Sequence, residues 1–154
     1  MLRAIELENF KAFGKRQRIE FAPITLIFGE NSAGKSSILQ ALALLKQSQQ
    51  HRDANTVLVP RVEGGYVDLG SYAEMIFDHK ERLPLRIRLD FDVRQNENVG
   101  QTSVSGVELR FTRRTSHSPI ELCEWVLFEP LGNTGEPIAS FVPLRGKKVP
   151  RKSG

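Results

Sequence analysis

The chain has one cysteine, Cys123, and so no internal disulfide with which to brace a core. Nor does it contain an apolar run near the roughly 20 residues of a membrane-spanning helix. Its opening residues, Met1-Leu2-Arg3-Ala4-Ile5-Glu6, place an acid where a secretory signal would be apolar. These absences speak against an exported disulfide scaffold and against a membrane partner, and they make a reducing cytoplasm the expected location. The three histidines, His51, His79 and His117, stand far apart without the spacing of metal ligands. No Ser-His-Asp or Cys-His set can be built, so covalent hydrolase chemistry is not expected.

Acids are also missing from the final stretch. Residues 141–154 hold Arg145, Lys147, Lys148, Arg151 and Lys152, which leaves 17 of the 22 basic residues against all 18 acidic ones in residues 1–140. The net charge of +4 therefore belongs to the tail, and the rest is nearly neutral. Such a block of like charge reads as a solvated segment, with nucleic-acid contact as the alternative. What is present fits a single globular unit: 154 residues, 40% hydrophobic and 26% charged, are enough for one core.

Residues 3–8 and 16–21 alternate apolar with charged side chains, Ile5 and Leu7 against Glu6 and Glu8, then Ile19 and Phe21 against Arg18 and Glu20. That period predicts two half-buried strands. The turn-prone segment Asn9-Phe10-Lys11-Ala12-Phe13-Gly14 joins them. After Pro23, the continuous run Ile24-Thr25-Leu26-Ile27-Phe28 predicts a strand buried on both faces. From Gly34 to about Gln49 there is no proline, and Ile38, Leu39, Ala41, Leu42 and Leu45 form a broad stripe that predicts a helix. Ser71-Tyr72-Ala73-Glu74 has capping-box spacing and predicts a short helix through Met75 and Phe77. Beyond it the period changes to two. Leu85 to Asp92, Val107 to Thr112, and apolar runs near 120–128 and 138–144 predict an antiparallel meander with one wet face.

The residues that carry chemistry are Gly29-Glu30-Asn31-Ser32-Ala33-Gly34-Lys35-Ser36, which fit G-x-x-x-x-G-K-[ST]. The glycines let the backbone curl until successive N–H groups point at phosphate oxygens. Lys35 brings a mobile charge to the β- and γ-phosphates, and the Ser36 hydroxyl is the expected Mg²⁺ ligand. The helix that follows aims its positive end at the same anion. ATP with Mg²⁺ is the expected cofactor, and the loop lies between a strand-like run and a helix, as the motif requires.

The first 50 or so residues resemble the N-terminal half of an SMC-like ATPase of the ABC class, the group that contains SMC proteins, RecF and OLD-family ATPases. The resemblance rests on Ile5-Glu6-Leu7-Glu8-Asn9-Phe10-Lys11-Ala12-Phe13, on Ile24 to Phe28, and on Gly29 through Ser36 with Ser37 following. Tyr66-Val67-Asp68-Leu69-Gly70-Ser71 further resembles stand-alone bacterial AAA-type ATPases of this group, several of which belong to antiphage systems. The fold this implies is α/β, a P-loop NTPase N-terminal lobe with an antiparallel β-sheet subdomain. Residues 1–80 would be the nucleotide-binding lobe, 81–144 a meander of the same lobe, and 145–154 a basic tail. Lys11 is then read either as a ribose or phosphate contact or as a solvated loop lysine. Phe10 and Phe13 are expected to pack under the P-loop, with adenine stacking as the alternative.

Two parts that hydrolysis needs are not found. No apolar strand ends in the acidic pair that would hold Mg²⁺ and activate water, and no Ser-Gly-Gly signature occurs. Leu85 to Asp92 alternates with arginines, so Asp90 and Asp92 read as the wet face of an edge strand. The family's Q-loop glutamine has no assignable position, since Gln40, Gln47, Gln49 and Gln50 come too early. The resemblance implies that these elements lie in a C-terminal lobe, and that two copies sandwich ATP as a switch acting with DNA or with a nuclease or other effector, in antiphage defence or DNA repair. The alternatives are the nucleotide-binding subunit of a membrane transporter and another P-loop kinase or GTPase. The Asn-Phe-Lys segment opposes the first, and the lack of an Asn-Lys-x-Asp tetrapeptide opposes a GTPase.

Overall fold

The computed structural model describes residues 1–30, 34–51, 57–92, 104–129 and 137–142. Its frame is one six-stranded antiparallel sheet of β1 (Leu2–Glu8), β2 (Gln17–Glu20), β3 (Leu85–Phe91), β4 (Gly106–Thr112), β5 (Glu121–Phe128) and β6 (Pro137–Phe141), in the order β2-β1-β3-β4-β5-β6. The N-terminal hairpin and the later meander therefore share a single sheet, joined where β1 pairs with β3 (Ile5↔Leu89, Leu7↔Ile87). Asn96 to Gly100, Gly132 and the basic tail lie outside the described residues.

Register puts like side chains on like faces, because side chains alternate along a strand and opposed residues share a face. Ile5, Leu7, Leu85, Ile87 and Phe111 form one face and are all buried. Helix α1 (Lys35–Gln50) brings Ile38, Ala41 and Leu44, three residues apart, into the same core. Short helix α2 (Tyr72–Met75) adds Tyr72 and Met75. The expected continuation through Phe77 does not occur. Ile76 is extended, a 3₁₀ turn takes Phe77–His79, and Asp78 sits at φ 50°. Burial pushes the Tyr72 hydroxyl up to about 12, which keeps it protonated to donate to the Phe111 carbonyl at 3.2 Å.

The other face is a lattice of charge. Glu6 lies between Arg18 and Arg88, Arg88 opposite Glu108, and Arg110 opposite Glu124. One unfavourable pairing, Arg86 opposite Arg110, is offset by Glu8 on Arg86 at 2.7 Å and by Glu108, whose carboxylate also meets Arg110 at 2.9 Å. Two expectations are corrected here. First, β3 is not an edge strand but lies between β1 and β4, which makes Asp90 part of the lattice, bonded to Arg18 and Arg88. Second, Ile24 to Phe28 is not a buried strand. It pairs with none of the six strands, and Ile24, Leu26 and Phe28 are 82%, 72% and 83% exposed. Only Ile27 packs against the core. A strand buried on both faces needs a packed layer above and below it, and no such layer lies against Ile24, Leu26 and Phe28.

Candidate nucleotide-binding site

The loop from Gly29 to Ser36 starts where that exposed run ends and delivers the chain into α1. Gly34 stands at φ 89°, a left-handed conformation that suits glycine, and a Cβ there would come within 3.1 Å of the Ala12 side chain and 3.3 Å of the Phe13 ring. The turn after β1 is thus the seat of the phosphate loop. Phe10 is fully buried and Phe13 nearly so, and their backbones bond to each other at 3.0 and 2.7 Å. The Phe13 ring packs against Gly34, and Phe10 and Phe13 both belong to the buried core.

The start of α1 carries nothing that would repel an anion. No side chain caps its first N–H groups, and its first turn holds no acid. Those donors and the positive end of a helix of 16 residues remain available to phosphate oxygens. Lys35 Nζ donates to the Gly29 carbonyl at 2.6 Å and to the Glu30 carbonyl, which folds the ammonium back over the loop. Phosphate oxygens are stronger partners for an ammonium than carbonyls are. Ser36 is exposed on the first turn, whereas Ser37 is buried, its amide bonded to the Gly34 carbonyl at 3.0 Å. Of the two hydroxyls Ser36 is therefore the one open to solvent, and Ser37 supports the turn. Asn31, Ser32 and Ala33 lie outside the described residues. The donor set fits a nucleoside triphosphate with Mg²⁺: Gly29, Gly34 and the α1 amides would take phosphate oxygens, Lys35 the β- and γ-phosphates, and Ser36 the metal.

Lys11 sits at φ 47° with its amide on the Met75 carbonyl at 2.8 Å and its ammonium on the Glu74 carbonyl at 3.1 Å. It ties the turn under the phosphate loop to α2. That tie depends on a capping box. Glu74 accepts from the Ser71 amide and hydroxyl, which holds its carboxyl below the usual range. A side chain at Gly70, φ 70°, would collide with the Glu74 carboxylate at 2.1 Å. The segment Tyr66 to Ser71 therefore has a structural reason for its composition. Gln47 is a further clamp that sequence reasoning did not single out. Buried at 3% exposure, it donates to the Val59 carbonyl at 2.8 Å and accepts from the Val67 amide at 3.1 Å, fastening residues 59–67 to α1.

Asp90 lies on the charged face, opposite the one that α1 covers, and Asp92 bonds Arg3 and the N-terminus. Asp68 takes the Gly70 amide at 2.9 Å and Arg61 at 3.2 Å. No group of three or more metal-ligating side chains occurs among the described residues, and no helix there is long and apolar enough to cross a membrane.

A family described as "AAA ATPase domain" matches residues 1–131. The Chromosome partition protein Smc of Rhodopirellula baltica is 44% identical over 50 residues, 32% of this chain. The chain covers only 4% of that protein's length, so the likeness is to a small part of it.

Proposed function

Because the chain belongs to the AAA ATPase domain family, we propose that it is the ATP-binding part of an SMC-like ATPase that works as a two-copy switch with DNA or with a nuclease or other effector, in antiphage defence or DNA repair. The observation that carries the reading is the loop Gly29 to Ser36 opening into an uncapped helix, with Gly34 seated on Ala12 and Phe13. ATP with Mg²⁺ is the ligand that this donor set fits. Hydrolysis then requires an acid and a signature loop supplied by a further segment and a second copy, with ATP holding the copies together until it is cleaved.

The exposed run supports the need for a further segment. Ile24, Leu26 and Phe28 stand at alternate positions of the stretch that leads into the loop, and each is more than 70% exposed. Leaving such side chains in water forgoes about 1.5–3 kcal/mol apiece. Strands laid beside Ile24 to Phe28 would cover them and fix the loop's approach from below.

Calorimetric titration separates this reading from a merely structural loop. ATP and ADP in the presence of Mg²⁺ are expected to bind, while AMP, which lacks the phosphates that Lys35 and the α1 amides address, should bind at least about tenfold more weakly. Equal affinity for AMP and ATP would place binding away from Gly29–Ser36.

A further inference from the structure

The turn Asn9 to Gly14 is wedged between two parts of the chain. On one side Ala12 and Phe13 lie against Gly34. On the other, Asn9, Lys11 and Gly14 meet residues 74–83. The buried Asn9 side-chain amide donates to the Lys80 and Leu83 carbonyls at 3.3 and 2.8 Å. The Lys11 amide and ammonium take the Met75 and Glu74 carbonyls. At Gly14 a Cβ would stand 2.5 Å from the Phe77 ring, so glycine lets that ring close on the turn. Among the described residues, the non-glycine positions with left-handed backbones are Asn9, Lys11, Asp78 and His79, at φ 57°, 47°, 50° and 51°, and all four lie at this junction. Such conformations are costly and persist only where the surroundings impose them.

We propose that Glu74 is a positioning residue for the nucleotide, acting through Lys11, an inference that rests on the nucleotide reading of Gly29 to Ser36. The Glu74 carboxylate is engaged by Ser71, which closes the capping box and fixes the first turn of α2, and with it the Glu74 and Met75 carbonyls. Those carbonyls hold Lys11 by its ammonium at 3.1 Å and by its amide at 2.8 Å. Lys11 directly precedes Ala12 and Phe13, the pair against Gly34. Gly34 is in turn the residue from which α1 starts, and its carbonyl takes the Ser37 amide at 3.0 Å. A displaced turn would tilt the first α1 amides away from the phosphate oxygens they address. Preorganisation of this kind comes from groups one layer behind the ligand, held in place by hydrogen bonds of their own. Gly70 belongs to the same device, since a side chain there would strike the Glu74 carboxylate.

Calorimetric titration of Mg-ATP into the complete chain and its variants tests the assignment. Glu74 is exposed, so the fold survives its replacement. Glu74→Ala is expected to weaken binding at least about fivefold. Glu74→Gln, which can still complete the capping box, should restore it to within about twofold of the parent. The losses in Glu74→Ala and Lys11→Met should not add, so that the double variant binds about as weakly as the weaker single one. Val126→Ala truncates a buried side chain on the opposite face of the sheet, and should lower the melting temperature without changing affinity. Unchanged affinity in Glu74→Ala, failure of Glu74→Gln to restore it, additive losses in the double variant, or an equal loss in Val126→Ala would each overturn the proposal. Lys35→Ala separates this failure from that of the nucleotide reading. If Lys35→Ala weakens binding and Glu74→Ala does not, the positioning role alone falls; if neither weakens it, the loop is not the site and both fall.

Discussion

Lys35→Ala is expected to lower ATP affinity at least tenfold, about 1.4 kcal/mol, while leaving the thermal unfolding of the chain almost unchanged. The substitution removes the ammonium proposed to meet the β- and γ-phosphates but keeps the amides of α1. Its partners without nucleotide are the Gly29 and Glu30 carbonyls in an exposed setting, where a lost hydrogen bond is replaced by water. Gly34 keeps its left-handed turn and Phe13 keeps its place beneath it. Calorimetry on both proteins separates the two effects. Unchanged affinity would show that the loop is not the site, and a large fall in melting temperature would show that Lys35 holds the fold instead of the ligand.

The largest effect on stability is expected from Phe10→Ala, a loss of about 3–5 kcal/mol. Phe10 is fully buried, at the junction of β1, the turn under the phosphate loop and the α1 core. Truncation leaves a cavity between elements fixed by the β1 ladders and by the Lys11 bonds to α2, so the site can close only in part. A domain stable by about 5–15 kcal/mol would lose a large share of its margin. With m near 1–3 kcal/mol/M, the urea midpoint should fall by at least about 1 M. A shift of a few tenths molar would mean that the turn repacks freely, and the seating of Gly34 on Phe13 would lose its structural role.

Where one segment carries its own instructions, the sequence was legible. The period-2 alternation of Ile5, Leu7, Leu85 and Ile87 against Glu6, Glu8, Arg86 and Arg88 marked β1 and β3 because each strand needs only one covered face. Ser71 and Glu74 announced the start of α2 through a contact three residues long. The loop Gly29 to Ser36 stood out in the sequence because phosphate binding would fix glycine, lysine and serine at set spacings. What failed was non-local. The apolar run Ile24 to Phe28 looks like a buried strand, but burial depends on what lies beside it, and nothing in its own residues says whether those neighbours are close in sequence. Asp90 and Asp92 were read correctly as polar positions and wrongly as an edge, because strand order β2-β1-β3-β4 is set by pairings up to 89 residues apart. Gln47 and Lys11 became clamps through backbone carbonyls, which leave no trace in side-chain patterns.

Release of inorganic phosphate from Mg-ATP by this chain, with Lys35→Ala as the control, tests most directly whether it binds nucleotide without itself carrying the catalytic acid. Phosphoryl transfer to water needs a group that orients the attacking water and charge that meets the transferred phosphate from the opposite side. Asp90 is held by Arg18 and Arg88 on the far face, Asp92 by Arg3 and the N-terminus, and Asp68 by Arg61 and the Gly70 amide. The account predicts ATP binding with phosphate release no greater than that of Lys35→Ala. Turnover that disappears in Lys35→Ala would contradict it and would place a catalytic acid within these 154 residues, with Asp90, Asp92 and Asp68 the first to replace.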